Sequence, residues 1–112
     1  MMIQTADAEL AAQQRDALAE RVFNATLESM DLAAMYLGEQ LGYYRGLVEL
    51  GNATSAELAA HVGANERYTR EWLEQQAVTG ILSVEDTGDA ATRRYALPDG
   101  HATALLDDDS LA

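Results

Sequence analysis

Residues 54–82, TSAELAAHVGANERYTREWLEQQAVTGIL, carry the strongest fold signal in this chain. Two short segments with apolar residues at helical spacing are separated by Gly63, and each opens with a residue type that caps helices, Thr54 or Asn65. Thr54 and Glu57 have the spacing of a capping box, in which each side chain bonds the other residue's free backbone amide. This pattern predicts two helices joined by a tight turn.

Two segments with strand character follow the helix pair. Residues 81–86 and 93–97 carry apolar side chains on both sides of a Thr87-Gly88-Asp89 turn. A helix pair followed by a hairpin is the order of a winged helix-turn-helix, an architecture usually found on DNA. The predicted fold class is therefore mainly α with a small β-wing, preceded by a long N-terminal helix.

The helix in the recognition position lacks the basic face of a DNA reader. It carries two arginines and three glutamates, and Arg67–Glu71 and Arg70–Glu74 have the spacing of intrahelical ion pairs. The whole chain has 7 basic and 19 acidic residues, a formal net charge of −12 that repels a phosphate backbone. A DNA-binding transcription regulator is therefore only the alternative function, and its DNA contacts would be Arg67, Arg70, Arg93 and Arg94.

Length and composition exclude several classes of protein. The 112 residues correspond to one modest domain, and without cysteine there is no disulfide, thiol nucleophile or zinc-thiolate site. The first residues have neither the basic start nor the apolar core of a signal peptide, and no apolar run approaches the roughly 20 residues of a membrane helix. We expect a cytoplasmic protein without membrane contact.

No catalytic, cofactor-binding or metal site is predicted in this chain. His61 and His101 have no second ligand at metal-site spacing, and the three consecutive carboxylates at residues 107–109 are typical of a solvated tail. The glycines stand singly and form no phosphate-binding loop, and no Ser-His-Asp order is present.

An apolar stripe runs along the N-terminal half of the chain. Its members alternate steps of four and three, the spacing of a heptad seam: Phe23, Leu27, Met30, Ala34, Leu37, Leu41, Tyr44 and Val48. The stripe predicts one long helix or two nearly collinear ones, and either packing within the domain or a seam with a second copy would explain it. A helix of about 35 residues is about 50 Å long, more than a winged helix can cover, so part of the stripe should meet another chain or another domain. A homodimer is the expected assembly.

Glycines at positions 38, 42 and 46 interrupt this helical region at every fourth residue. Each costs about 1 kcal/mol of helix propensity relative to alanine, so a compensating feature is expected. Close approach of another element and a break in the helix both remain open. Tyr36, Tyr43 and Tyr44 lie beside these glycines, where they either line a pocket or pack as in an ordinary amphipathic helix. The candidate wall residues of such a pocket are Met30, Tyr36 and Tyr43.

These features divide the chain into four segments. Residues 1–14 form a flexible or helical lead-in, and residues 15–51 form the long dimerisation-type helix or helix pair. Residues 52–106 form the winged helix. Residues 107–112 are an acidic tail.

Four short motifs carry a resemblance to a known family: LGYYR at residues 41–45, TSAELA at 54–59, RYTREWL at 67–73 and YALP at 95–98. With them, roughly residues 18–106 resemble the N-terminal winged-helix region of bacterial, mycobacterial-type S-adenosylmethionine-dependent methyltransferases. The RYTREWL motif is the most specific of the four. Small-molecule O-methyltransferases carry a related dimerisation domain.

The resemblance implies a function other than DNA binding. In that family the winged helix pairs subunits and covers the substrate pocket of a following Rossmann-like domain, which binds S-adenosylmethionine. The present chain ends before the strand and glycine-rich loop of such a domain. We therefore predict one inactive domain of a longer methyltransferase, homodimeric, meeting a small-molecule substrate through the catalytic domain. A protein–protein adaptor that uses the apolar stripe is a further, less specific option.

Overall fold

The computed structural model describes residues 2–107, and it describes side chains from Thr5 onward. These residues form five helices and two strands: α1 (Met2–Leu41), α2 (Tyr43–Leu50), α3 (Ser55–Val62), α4 (Glu66–Val78), β1 (Ser83–Glu85), β2 (Arg94–Ala96) and α5 (Asp99–Leu106). The predicted fold class, a winged helix-turn-helix with a long N-terminal helix, is confirmed. Of the predicted acidic tail, all but Asp107 lies outside the described residues.

The chain divides into two compact units, Met1–Leu32 and Ala33–Ala112. Within the first unit the chain is helical from Met2 on, including the predicted lead-in. The second unit holds the rest of α1 and all the other elements. None of the helices described is long and apolar enough to cross a membrane.

Local capping explains why the helix-turn-helix forms where the sequence predicts it. The Thr54 hydroxyl accepts a hydrogen bond from the Glu57 amide at 3.2 Å, and the Asn65 side chain accepts one from the Tyr68 amide at 3.2 Å. Gly63 ends α3 in the left-handed region, with φ 73°. The predicted caps and turn are confirmed.

The wing is a two-stranded antiparallel ribbon that pairs Val84 with Tyr95. The strands are shorter than the predicted 81–86 and 93–97. Ile81 and Leu82 donate their amides to the carbonyl of Gln76, at 3.0 and 3.2 Å, so these residues close the end of α4 instead of extending β1. On the other side, Ala53 exchanges backbone hydrogen bonds with Tyr95, at 2.8 and 2.9 Å, which ties the wing to the loop before α3.

The core of the second unit is built around a cluster of aromatic side chains. Trp72 on α4 packs against Tyr43 and Tyr44 on α2, with ring centroids 4.6 and 5.1 Å apart. Its indole N–H donates to the carbonyl of Ala34 at 2.9 Å, which fastens the last turns of α1 to α4. Aliphatic side chains from α2, α3, α4 and the residues next to the two strands join the cluster: Leu47, Leu58, Leu73, Leu82 and Leu97.

The glycines of the N-terminal region have two separate functions in the structure. Gly42 lies between α1 and α2 with φ 77°, and it breaks the helix there. Gly38 and Gly46 instead allow close packing: a Cβ at Gly38 would lie 2.3 Å from the Trp72 ring, and one at Gly46 would lie 2.9 Å from Leu58. Both explanations left open by the sequence therefore apply, at different positions.

Candidate interaction surfaces

In the first unit, the members of the predicted stripe are exposed. Phe23 is 63 % exposed, Leu27 45 % and Met30 64 %. Other large apolar residues of this helical segment are exposed as well, namely Leu10, Leu18, Val22 and Leu32. This length of α1 therefore presents a substantial amount of apolar surface to its surroundings.

In the second unit, the stripe divides between surface and core. Leu37, Leu41 and Val48 remain between 43 and 49 % exposed, whereas Tyr44 is buried. The Tyr44 hydroxyl donates to Gln76 Oε1. Burial, aided by the charge of Glu39, raises the pKa of Tyr44 to about 12. Tyr44 therefore belongs to the interior packing of its own domain.

The three candidate pocket-wall residues differ in their exposure. Met30 and Tyr36 are 64 and 67 % exposed. Tyr43 is buried, with its hydroxyl 2.8 Å from Thr69 Oγ1 and its ring against Trp72. The structure thus leaves Met30 and Tyr36 at the surface and places Tyr43 in the core.

The arginines of α4 are engaged with carboxylates of the same helix. Arg67 Nε lies 3.5 Å from Glu71, which confirms the first predicted ion pair. The second predicted ion pair, Arg70–Glu74, was wrong: Arg70 Nε lies 3.7 Å from Glu66, one helical turn before Arg70. Glu66 also accepts a hydrogen bond from Ser55 at 2.6 Å, which fixes its carboxylate beside Arg70. Glu74 instead pairs with Arg93 of the wing.

Arg93 joins the wing to α4 through two carboxylates. Its guanidinium lies 3.0 Å from Asp86 and 3.9 Å from Glu74. The Gly88 amide and the Arg93 guanidinium hold the pKa of Asp86 below its usual range, and Asp86 in turn raises that of Arg93. The three residues also line a groove of about 290 Å³ between α4 and the wing, where Val78 and Val84 are exposed.

Arg94 is the most completely paired of the four arginines. It donates two hydrogen bonds to the Glu57 carboxylate, at 3.0 and 3.2 Å, and a third to Asn52 at 2.6 Å. The hydrogen bond from Arg94 is the main cause of a lowered Glu57 pKa, and Thr54 contributes through the capping box. All four residues assigned to DNA under the alternative function are therefore already neutralised by carboxylates.

The two histidines occupy different settings. His61 Nε2 lies 3.4 Å from Glu49 on α2. His101 Nδ1 lies 2.7 Å from the carbonyl oxygen of Ile81. Over the part of the chain that the structure describes, no group of three or more potential metal ligands is present.

His101 also lines a pocket that the sequence did not indicate. This pocket has a volume of about 200 Å³, and it is formed by residues of α1, the α4–β1 connection and α5: Met35, Ile81, His101, Ala104 and Leu105. The lining residues lie far apart along the chain, so the spacing of residues within any one segment could not predict the pocket. The only sequence clue was a lone histidine shortly after Pro98.

Comparisons with known proteins agree with this geometry. The family model of the Rv2258c-like winged HTH domain matches residues 28–106. The structure of the mitomycin 7-O-methyltransferase MmcR superposes with a TM-score of 0.67 and 27 % sequence identity, over 88 % of this chain and 28 % of that chain. A search of curated proteins found no match. This chain thus spans little more than a quarter of the length of that methyltransferase, and it belongs to the Rv2258c-like winged helix-turn-helix domain family.

Proposed function

We propose that this chain is the non-catalytic N-terminal domain of an S-adenosylmethionine-dependent methyltransferase, where it pairs two subunits and covers the substrate pocket. One observation carries the proposal: nearly the whole chain matches a minor part of the O-methyltransferase MmcR. The cofactor and the small-molecule substrate would be bound mainly by a following catalytic domain. This domain would transfer no methyl group by itself.

The exposed apolar residues of the first unit support the dimerisation part of the proposal. Phe23, Leu27 and Met30 repeat at heptad spacing on one face of α1 and are all at least 45 % exposed. Burying a side chain of this size stabilises an association by about 1.5 to 3 kcal/mol. A second copy offers the same face at the same spacing, so a helix-to-helix seam would bury both.

The alternative function is that of a DNA-binding regulator. The winged helix-turn-helix fold is compatible with DNA binding, whereas the negative charge of the chain opposes it. Arg67, Arg70, Arg93 and Arg94 would each have to leave a carboxylate partner before contacting a phosphate. The chain as a whole carries a formal charge of −12, which opposes approach to a polyanion. The methyltransferase role needs no such rearrangement.

The dimerisation part can be tested by sedimentation equilibrium on the 112-residue chain. The wild type is expected to have the mass of a dimer, and Phe23→Asp is expected to shift it towards the monomer, because a buried unpaired carboxylate opposes the seam. Val78→Asp is the matched control, since Val78 is 87 % exposed on α4, outside the stripe. A monomeric wild type, or dissociation caused equally by both variants, would contradict this part.

The methyltransferase part is tested by the gene beyond the codon for Ala112. A strand followed by a D/E-x-G-x-G-x-G loop is expected within a few dozen codons. A stop codon directly after Ala112 would overturn the enzyme assignment. Calorimetry should detect no S-adenosylmethionine binding to the 112-residue chain, and DNA should show no retarded migration with it at low salt; retardation would support the regulator instead.

A further inference from the structure

The pocket of about 200 Å³ beside α5 has a composition suited to a ligand. Four of its five lining residues are aliphatic or thioether side chains, namely Met35, Ile81, Ala104 and Leu105. His101 supplies the only side-chain nitrogen. Apolar walls with one placed polar atom are the usual composition of a small-molecule site.

The hydrogen bond of His101 determines what that polar atom can do. A carbonyl oxygen only accepts, so the contact of 2.7 Å to Ile81 requires that Nδ1 carry the proton. In the neutral ring, Nε2 is then left with a free lone pair and acts as an acceptor. A backbone carbonyl that fixes the tautomer in this way leaves the ring ready to receive a hydrogen bond from a ligand.

The volume restricts the size of that ligand. An engineered apolar cavity of about 150 Å³ binds benzene, so about 200 Å³ accommodates one aromatic ring with a small substituent. Met35 contributes a flexible, polarizable wall of the kind that adapts to an aromatic ligand. His101 is exposed, so a ligand hydroxyl would replace a water at Nε2, and the net gain of that hydrogen bond is about 1 kcal/mol.

We propose that this pocket binds a small aromatic alcohol, with its ring among the apolar side chains and its hydroxyl donating to His101 Nε2. The site lies wholly within residues 33–112 and needs neither a catalytic domain nor a second subunit. The inference therefore goes beyond the proposed function and does not rest on it.

The test is a methyl-detected NMR titration of the 112-residue chain with 4-ethylphenol and, separately, with its methyl ether 4-ethylanisole. Both probes are expected to shift the methyl signals of Met35 and Leu105. The phenol should bind about fivefold more tightly, because a net hydrogen bond contributes about 1 kcal/mol and the ether cannot donate one. Equal affinity of the two probes, or no shift at these methyl groups, would overturn the proposal.

Two variants separate the hydrogen bond from the shape of the pocket. His101→Asn keeps an N–H near the Ile81 carbonyl but removes Nε2, so the fivefold preference for the phenol should disappear while ether binding is unchanged. His61→Asn is the control, because His61 pairs with Glu49 and does not line the pocket. A preference that survives His101→Asn would refute the role of Nε2.

The second variant fills the pocket. Ala104→Phe should abolish binding of both probes, whereas Ala60→Phe, on the exposed side of α3, should leave both titrations unchanged. Circular dichroism of each variant shows whether it is folded. The mass of the wild-type sample separates the two proposals: an intact dimer that binds neither probe overturns only the ligand site, and probe binding by a monomer overturns only dimerisation.

Discussion

Substitution of Gly38 by alanine should destabilise the domain, although alanine is the better helix former. A Cβ at this position would lie 2.3 Å from Trp72 Cζ2, 2.9 Å from Trp72 Cε2 and 3.0 Å from Tyr44 Cε2. The indole cannot easily retreat, because its N–H is bonded to Ala34 and its ring is packed against Tyr43 as well as Tyr44.

Two opposing effects set the size of this change. Replacing a glycine inside a helix stabilises it by about 1 kcal/mol. Overpacking a core costs about 1 to 3 kcal/mol, and contact with two anchored rings places Gly38 near the upper end of that range. The expected net result is a free energy of unfolding lower by about 2 kcal/mol, which corresponds to a urea midpoint lower by about 1 to 2 M.

Gly46→Ala is the matched control. Its Cβ would lie 2.9 Å from Leu58 and 3.0 Å from Val62, contacts with aliphatic side chains that are longer than the 2.3 Å from Gly38 to the indole. The gain in helix propensity should then offset most of the contact, so the free energy of unfolding should stay within about 0.5 kcal/mol of the wild type. Urea unfolding followed by far-UV circular dichroism measures both variants.

A double variant identifies the cause. In a Trp72→Leu background the indole is absent and only the Tyr44 contact at 3.0 Å remains, so Gly38→Ala should lose most of its destabilising effect. An unchanged urea midpoint for Gly38→Ala in the wild type would contradict a steric conflict with the indole. An equal loss of unfolding free energy with and without the indole would contradict it as well.

Three further predictions concern single side chains. The pKa of Tyr44 is raised from 10.0 to about 12, so burial of its neutral hydroxyl contributes fully to the free energy of unfolding below pH 10. This contribution is lost as the pH rises from 10 towards 12. In urea unfolding at a series of pH values, Tyr44→Phe should therefore lose about 2 to 3 kcal/mol less than the wild type over that range. Because the pKa of Glu57 is lowered, its pairing with Arg94 stabilises above the normal carboxyl pKa and fails as the pH falls through the lowered value; Arg94→Ala should cost about 0.5 to 1 kcal/mol at neutral pH and flatten the acid limb of the stability curve. Asn65→Ala removes the cap of α4 and should lower the free energy of unfolding by about 1 kcal/mol, measured by thermal unfolding, whereas Asn65→Ser should restore most of it.

Most of the fold could be predicted because its signals are local. The caps at Thr54 and Asn65 and the left-handed turn at Gly63 each depend on atoms within a few residues. The ends of the two strands were predicted less accurately. The amides of Ile81 and Leu82 bond the end of α4, a choice that apolar alternation does not encode.

In the apolar stripe, heptad spacing predicts which residues share a face only up to the helix break at Gly42. A continuous heptad seam places Tyr44 in line with Leu41, but Gly42 adopts φ 77° and starts α2 in a new orientation. Tyr44 is consequently buried against Trp72, whereas Leu41 remains exposed. The sequence indicated a glycine at this position but not whether the helix breaks there.

Local capping, composition and short motifs were enough to predict the order of helices, turn and wing, the acidic character of the chain and its family. The partner of each long-range group became known only from the folded arrangement. Arg94 pairs with Glu57, 37 residues earlier, and Met35 meets His101 across a pocket formed by three parts of the chain. Such contacts depend on how whole elements pack together, and the free energy of that packing is shared among many side chains, so no single segment carries the information.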